Sequence, residues 1–404
     1  MSLSTATQVR PPTSAGADPL VGRDILCFSQ DWGGDPLSKN HLMRLLARDN
    51  RVLWVNSIGY RAPSASAADL RRAVRKLVAV SRPVREAEPN IHVLNPLAVP
   101  VYGRPAARAL NRWLLRAQVL RAMRRLGFRR PVNRVFNPAA AVVAGTLDEE
   151  TLIYHCVDEC TEFTGVPART LAEMEHQLLL RADLVITSAD RLYRSKAAVS
   201  PHTVLVRHGV DHRHFRRALD PELVVPAEVA GLPGPIIGFF GLVADWVDVD
   251  LMAEVARRFS HGSLVVVGRV ATDVSALENL PNVHLLGRKP YEQLPAFCKA
   301  FDVALMPFRI NELTLNANPL KVREYLAAGL PVVSTPIPEV EVLGACRIAS
   351  GADAFAAEVA AALADPGSRR GRSDAVRNES WEARLDEIRG HLAAHTQATR
   401  GADR

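Results

Sequence analysis

The stretch that decides the fold runs from Asn318 to Thr335 and reads NPLKVREYLAAGLPVVST. Asn318 can cap a helix, and Pro319 suits the first helical position. Gly329 can close this helix in the left-handed conformation before Pro331 stops it. A β-branched run follows directly. The stretch therefore predicts a short helix that is fixed at both ends and feeds a buried strand.

The predicted helix carries two side chains that suit a nucleotide. Free backbone N–H groups and the helix dipole make its N-terminus an anion site, and Lys321 in the first turn adds a charge suited to a diphosphate. Glu324 lies one turn further on the same face, where its carboxylate can accept hydrogen bonds from ribose hydroxyls. The alternative is a surface ion pair between the two, contributing about 0.2–0.5 kcal/mol.

Outward from this helix, short β-branched runs alternate with longer helical patterns in both halves of the 404-residue chain. The alternation predicts an α/β fold of two Rossmann-like doubly wound domains that face a cleft. The predicted organisation is a disordered tail at 1–22, an N-terminal domain at 23–215, a linker at 216–233, a C-terminal domain at 234–375, a helix returning toward the N-terminal domain at 376–394 and a disordered tail at 395–404.

Composition narrows the class of protein. Hydrophobic residues make up 48% of the chain and charged residues 23%, as in an ordinary soluble protein. No apolar run reaches the roughly 18 residues of a membrane-spanning helix, and the N-terminus lacks the order of a secretion signal. We therefore expect a cytoplasmic protein.

The five cysteines are scattered without a paired framework, which suits a reducing compartment. Cys156 and Cys160 lie close to His155 in the sequence, but no second cluster completes four zinc ligands. We therefore expect no metal and no bound cofactor.

The net charge of +7 is concentrated in the N-terminal half. Residues 101–130 hold nine arginines and no acidic residue, interleaved with apolar side chains such as Trp113, and residues 70–85 form a second basic stretch. The first pattern predicts a basic amphipathic helix. A solvated face and peripheral contact with the anionic inner face of the plasma membrane both stay open. Nucleic acid is disfavoured, because no base-stacking aromatic motif is present.

Four segments of the chain resemble GT-B glycosyltransferases, particularly the bacterial group that builds exopolysaccharide, capsule and teichuronic-acid chains. In chain order they are His208-Gly209-Val210-Asp211, Gly238-Phe239-Phe240-Gly241-Leu242, Gly287-Arg288-Lys289-Pro290 and the helix with Lys321 and Glu324. The resemblance runs from Asp24 to about Leu392.

The resemblance implies a transferase that moves a sugar from a nucleoside-diphosphate sugar to a glycan or lipid-linked glycan in cell-surface polysaccharide synthesis. The C-terminal domain would bind the donor and the N-terminal domain the acceptor. The implied donor contacts are Gly241, Arg288, Asn316, Asn318, Pro319, Leu320, Lys321 and Glu324.

Two departures from the family pattern concern the donor site. Many relatives carry a glutamate that meets the donor sugar eight positions before Glu324, and this chain has Asn316 there. Retaining members carry a basic pair in the glycine loop, where this chain has Val-Ala-Asp-Trp at 243–246. Donor binding is still expected, but the departures count against retaining chemistry.

The candidate general base is Asp158, which follows a buried strand at the edge where the cleft should lie. Glu159 and His155 are the fallbacks. The alternative for Asp158 is that it caps the next helix.

The implied acceptor contacts are Gly33, Gly34 and His41, in and after the loop that follows the first strand. A Gly-Gly pair lets the backbone approach a ligand closely, although turns use it freely. His41 in a first helical turn is more often a packed or capping residue.

Three other functions are consistent with an α/β pattern of this kind. A nicotinamide dehydrogenase is disfavoured, because the strand-to-helix turns contain no G-x-G-x-x-G. A sugar-nucleotide epimerase would use the same diphosphate and ribose contacts. A non-catalytic accessory protein of the same fold is favoured by Asn316 and the altered glycine loop.

Overall fold

The structure is a computed structural model that describes residues 18–57 and 84–402. Its strands, β1 to β14 in chain order, are Asp24–Phe28, Arg51–Val55, Arg85–Glu88, Ile91–Leu94, Val132–Val135, Thr151–Cys156, Leu184–Thr187, Thr203–Leu205, Ile236–Phe240, Ser263–Val267, Val283–Leu285, Val303–Met306, Val332–Ser334 and Arg347–Ile348.

The α-helices of the described residues are numbered α1 to α15 in chain order. They are Ser38–Leu46, Pro105–Leu126, Ala168–Arg181, Asp190–Ala197, His212–Arg216, Ala227–Ala230, Val249–Arg258, Ser275–Glu278, Leu294–Ala300, Glu312–Leu315, Leu320–Ala327, Pro338–Leu343, Ala352–Ala364, Arg369–Ala375 and Trp381–Ala402.

The strands form two sheets, one in each half of the chain. The first has the order β3-β4-β2-β1-β5-β6-β7-β8 and is parallel except for the edge strand β3. The second is parallel, with the order β11-β10-β9-β12-β13-β14. Both orders reverse direction at a switch point, between β1 and β5 and between β9 and β12. The prediction of two Rossmann-like doubly wound domains is confirmed.

The strands are buried because helices cover both faces of each sheet. β10, for example, reads SLVVV, and all five of its residues are buried. Parallel sheets covered on both faces read as such continuous apolar runs rather than as alternating patterns. In such sheets, ligands bind in the crevice beyond the carboxyl ends of the strands, at the switch points.

The chain crosses between the domains after β8. Val206 packs in the core of the N-terminal domain, and Val210 packs in the core of the C-terminal domain. The backbone N–H of Val210 donates to the carbonyl of Glu379, and Trp381 returns to the N-terminal core. The two crossing segments therefore lie side by side.

The predicted linker at 216–233 is packed rather than free. Ala218 and Val229 are buried in the core of the C-terminal domain, and Val225 packs against that core. The segment therefore packs on the C-terminal domain, and its assignment as a linker stays a prediction.

Both predicted tails are partly ordered. Leu20 is fully buried, and its carbonyl accepts a hydrogen bond from Asn50 Nδ2 at 2.7 Å. At the other end, α15 continues through the predicted tail to Ala402, because a helix anchored by packing extends through polar residues at little cost. Residues 1–17 and 403–404 lie outside the described residues, as does most of the second basic stretch.

The C-terminal domain is tied to the N-terminal domain through one buried carboxylate. Glu339 in α12 is 2% exposed. It accepts hydrogen bonds from the backbone N–H of Asp190 and from Arg207 Nε, each at 2.7 Å. Asn318 Nδ2 lies 3.4 Å from the same carboxylate. Removing it would leave the backbone N–H of Asp190 and the Nε of Arg207, both partly buried, without this partner.

We predict that Glu339→Ala lowers the free energy of unfolding by about 1–3 kcal/mol, the usual cost of leaving buried hydrogen-bonding groups without partners. Denaturant unfolding measures this change. The matched control is Glu341→Ala, which removes an exposed carboxylate from the same helix and should change stability by less than about 0.5 kcal/mol. Equal effects of the two substitutions would contradict the proposed tie.

Candidate functional site

Helix α11 lies at the switch point of the C-terminal sheet and carries the two residues singled out from the sequence. Its buried side includes Val322, Arg323 and Leu326. The hydroxyl of buried Tyr325 accepts a hydrogen bond from the backbone N–H of Phe240 at 2.8 Å, which fixes the helix against the end of β9. Lys321 and Glu324 are only half-buried and lie on the side that faces the cleft.

The ends of α11 differ in part from the prediction. The helix begins at Leu320, with Pro319 as its N-cap residue and no side-chain cap, so the capping predicted for Asn318 was wrong. At the other end, the N–H groups of Gly329 and Leu330 donate to the carbonyls of Leu326 and Tyr325. This is a Schellman motif, and the left-handed Gly329, with φ of 81°, is confirmed.

Asn318 holds the domains together. Its side-chain amide donates to the carbonyl of Ser188 at 2.7 Å, and its side-chain oxygen accepts from Arg323 Nη1 at 2.7 Å. Its own carbonyl lies 2.8 Å from His208 Nδ1. The side-chain amide of Asn318 therefore already has partners within the protein. Its contact with the nucleotide-sugar substrate stays a prediction.

The side chain of Lys321 crosses Gly241, the residue that follows β9. A Cβ atom at Gly241 would lie 1.9 Å from Lys321 Cε and 2.8 Å from Nζ. Lys321 Nζ also lies 5.8 Å from the ring centroid of Phe308, which follows β12. The ammonium group is thus held between the ends of the two strands that flank the switch point.

Glu324 shares this site without forming an ion pair. Within the described residues, neither its carboxylate nor Lys321 Nζ makes a hydrogen bond or salt bridge. The surface ion pair considered from the sequence is therefore absent. Burial raises the pKa of Glu324 to about 7, with Lys321 lowering it and the charges of Asp211 and Asp35 raising it further. Burial lowers the pKa of Lys321, and Glu324 offsets part of that effect.

The predicted donor loop and acceptor loop meet across the cleft. Arg288, after β11, donates to the carboxylate of Asp35 from Nη2 at 2.9 Å and from Nε at 3.2 Å. Asp35 directly follows Gly33 and Gly34. Both partners are about half exposed, so the pair contributes little to stability.

Asp158 lies after β6, in the N-terminal domain. A short 3-10 turn follows at Cys160–Glu162, and Asp158 does not cap it, which removes the capping alternative. In the part of the chain that the structure describes, its carboxylate has no hydrogen-bond or ion-pair partner. Burial raises the pKa of Asp158 to about 6, and the nearby charge of Lys39 lowers it. A half-buried, unpaired carboxylate with a raised pKa suits proton transfer.

Both fallback bases are engaged elsewhere. His155 is 2% exposed, stacks on Phe136 and lies 3.0 Å from Arg134 Nη2. Burial first, and then the charge of Arg134, lower its pKa well below the usual value. Glu159 accepts from Lys196 Nζ at 2.8 Å. Burial raises the pKa of Glu159, but the Lys196 contact outweighs it and the net shift is downward.

His41 packs rather than points into open space. Its ring stacks on Trp381 at 5.4 Å between centroids and lies 5.8 Å from the ring of Tyr291 in the opposite domain. Burial lowers its pKa to about 4, so it is neutral near pH 7. A contact with an acceptor stays a prediction.

Asn316 ends the short helix α10. Its Nδ2 donates to the carbonyl of Glu312 at 2.7 Å, and 8% of its surface is exposed. A neutral amide cannot supply the negative charge of the glutamate that many relatives carry here.

Sequence reasoning missed Lys39 as a site residue. It lies in the first turn of α1, is 5% exposed and has no hydrogen bond or ion pair within the described residues. Burial lowers its pKa, whereas Asp158 raises it. Its position in the sequence could have identified it. Lys39 lies in the first helical turn after the loop that holds Gly33 and Gly34, and this turn follows the carboxyl end of β1.

The residues that the structure describes contain no group of three or more His, Cys, Asp or Glu side chains placed to hold a metal ion. Nor does any described helix combine the length and apolarity that crossing a membrane requires.

Comparison with known sequences points to one family. Residues 234–365 match the family of glycosyl transferases group 1. The chain is 27% identical over 222 residues to TuaH of Bacillus subtilis (strain 168), a protein assigned to teichuronic acid biosynthesis as a glycosyltransferase. That match covers 50% of this chain and 54% of TuaH, so it spans about half the length of this relative.

Solved structures extend the likeness over most of the chain. Sucrose-phosphate synthase from Thermosynechococcus elongatus has a TM-score of 0.66 at 18% identity, covering 93% of this chain and 100% of that one. Anabaena HepE in complex with UDP has a TM-score of 0.61 at 14% identity, covering 92% and 100%. At such identities the likeness shows the fold alone. The chain has the two-domain GT-B fold and resembles the group 1 glycosyltransferases, whose family profile its C-terminal domain matches.

Proposed function

We propose that the protein is a glycosyltransferase that moves a sugar from a nucleoside-diphosphate sugar to a glycan or lipid-linked glycan acceptor in cell-surface polysaccharide synthesis. The observation that carries the proposal is the arrangement of Lys321 across Gly241, with an unpaired Glu324 one turn away. Similarity to TuaH and to HepE, which was solved with UDP, supports it.

The donor diphosphate fits the N-terminus of α11. Free N–H groups of the first turn and the ammonium of Lys321 present positive charge to the diphosphate. Glu324 then accepts hydrogen bonds from the ribose hydroxyls. Because these groups are fixed before the reaction, they stabilise the negative charge that develops on the leaving diphosphate.

Asp158 fits the role of general base. The acceptor hydroxyl oxygen attacks the anomeric carbon of the donor, and the bond from that carbon to the diphosphate oxygen breaks. The hydroxyl proton passes to the Asp158 carboxylate, and the nucleoside diphosphate leaves. Lys39, the nearby cation, favours the ionised form that accepts this proton. We assign inverting chemistry, since Asn316 lacks the charge of the family's donor-sugar glutamate.

An accessory protein of the same fold is the second candidate, and Asn316 is the observation that favours it. Such a protein would bind the donor without transferring its sugar. Retained binding of a nucleoside-diphosphate sugar with no product from any acceptor would support this candidate.

We predict that Lys321→Met and Glu324→Gln each weaken the binding of UDP-glucose by about 10-fold or more, because each removes a charged hydrogen-bonding partner worth about 1.5–3 kcal/mol. Titration calorimetry measures the change. Glu324 must be ionised to accept hydrogen bonds from two ribose hydroxyls, so affinity should increase as the pH rises through about 7. This pH dependence should disappear in Glu324→Gln.

The matched controls for the donor prediction are Arg370→Met and Glu341→Gln, which remove exposed charges elsewhere in the same domain. Both should bind UDP-glucose as the wild type does. Unchanged binding in the Lys321 and Glu324 variants would place the donor elsewhere.

We predict that kcat at saturating donor falls as the pH drops through about 6, because a protonated Asp158 cannot accept the hydroxyl proton. Asp158→Asn should lower kcat by about 10²–10⁴-fold, the usual contribution of a general base. The acid limb should also vanish from its pH profile. A variant that keeps both the rate and the limb would exclude Asp158 as the base.

Helix α2 suits contact with an anionic membrane. Trp113 is 67% exposed and Leu110 46% exposed, although the helix buries Leu115 and Val119 in the domain core. Arg108, Arg112 and Arg116 are held by protein partners. The remaining arginines of residues 101–130 are exposed: Arg104, Arg121, Arg124, Arg125, Arg129 and Arg130. A lipid-linked acceptor would lie on such a membrane.

We predict that the protein floats with vesicles that contain anionic lipid and not with neutral vesicles, because each Lys or Arg near an anionic surface contributes about 1 kcal/mol. The triple change Arg121, Arg124 and Arg125 to Gln should abolish flotation, and Trp113→Ser should reduce it. Equal recovery with both kinds of vesicle would contradict membrane contact.

A further inference from the structure

A cavity of about 460 Å³ lies between the two domains, and neither Lys321 nor Glu324 is among the residues that line it. The N-terminal domain lines it with Glu159, Glu175 and Arg191, and the C-terminal domain lines it with Glu312 and Asn316. Its volume is in the range of sites for small molecules. Because both domains contribute walls, its shape depends on their relative position.

A second cavity, of about 320 Å³, continues the first. Thr164, Asp245 and Trp246 line it, and it shares Glu162 and Glu312 with the first cavity. The two cavities together are called the side groove. The hydroxyl of Thr164 donates to the carboxylate of Asp245, so the loop after Asp158 is joined to the opposite domain along this groove.

The inner end of the side groove lies next to the proposed reacting groups. Glu159 directly follows Asp158, the candidate general base. Asn316 occupies the position where many relatives of this fold contact the donor sugar. The side groove therefore runs along the loop that follows Asp158, with Glu159, Glu162 and Thr164 in its lining.

The lining of the side groove is acidic. It contains five carboxylates, with Arg191 and Lys196 as its only lysine or arginine side chains. Lys196 Nζ lies 2.8 Å from both Glu159 and Glu175, and Arg191 lies 2.9 Å from Glu312. Each of those three carboxylates therefore has a cationic partner, although Glu159 and Glu175 share the single charge of Lys196.

Two lining carboxylates have no cationic partner. Within the described chain, Glu162 makes no ion pair, and Asp245 is held only by Thr164. Both side chains belong to residues that are exposed to solvent. They give the outer part of the side groove a net negative charge.

Trp246 provides an apolar surface in the same part of the groove. The residue is half-buried, and its ring meets the edge of the Phe163 ring at 6.4 Å between centroids. An indole face can pack on the C–H face of a sugar ring, while carboxylates and amides accept or donate hydrogen bonds to its hydroxyls. The combination suits carbohydrate better than an apolar ligand.

We propose that the side groove binds the acceptor as an extended glycan whose sugars are uncharged or carry amino groups. The proposal rests on the glycosyltransferase function proposed above and specifies its acceptor class. A uronate or a phosphate in the groove would face Glu162 and Asp245, and like charges placed together across an interface are strongly unfavourable. Neutral and amino sugars avoid this repulsion.

The test is binding to oligosaccharides of equal length in neutral, amino-sugar and uronate series, measured at low salt with UDP present. We expect binding in the neutral or amino-sugar series, and affinity at least about 10-fold lower in the uronate series. Trp246→Ala should weaken binding by about 10-fold. Glu162→Lys with Asp245→Lys should raise the affinity for uronates.

The matched control is Glu278→Lys, which reverses an exposed charge in α8 and should leave the preference unchanged. Equal binding of uronates by the wild type, or binding of no oligosaccharide, would overturn the proposal. Binding of nucleotide, measured on the same samples, separates failure of the side-groove proposal from failure of the proposed transferase function. UDP bound without any glycan refutes the side groove alone, whereas failure of UDP, ADP and GDP alike to bind refutes the transferase function.

Discussion

The site depends on the close contact of the Lys321 side chain with the backbone of Gly241. Any side chain at position 241 would occupy the volume of Lys321 Cε. The absence of a Cβ atom therefore determines where the ammonium group lies, at the switch point between β9 and β12. The helix that carries Lys321 is fixed at its start by Asn318 and in its middle by Tyr325. The position of the Lys321 ammonium group thus depends on the close packing of α11 on the end of the sheet.

The two domains contribute comparable pairs of charges to the cleft. Glu324 lies near Lys321, and Asp158 lies near Lys39, yet neither carboxylate forms a hydrogen bond within the described residues. Burial without partners raises both carboxyl pKa values toward neutrality. At the same boundary, Glu339 and Glu159 instead accept hydrogen bonds from protein donors. Unused hydrogen-bonding capacity separates the candidate functional carboxylates from the structural ones.

Much of the fold was predictable, because parallel strands covered on both faces carry an apolar signal that needs no tertiary information. The left-handed Gly329 was predictable for a similar local reason. The role of Asn318 was not, since its partners Ser188 and Arg323 are fixed by domain packing. Burial of Lys39 and Leu20 likewise depends on neighbours that are distant in sequence. Local patterns indicate elements and helix ends, but not which polar groups find partners.

A crystal structure of the protein with UDP would test the position of the donor site. In it, the diphosphate should contact the first-turn N–H groups of α11 and Lys321 Nζ, with the ribose hydroxyls on the Glu324 carboxylate. A diphosphate bound away from α11, with Lys321 unchanged across Gly241, would contradict this position.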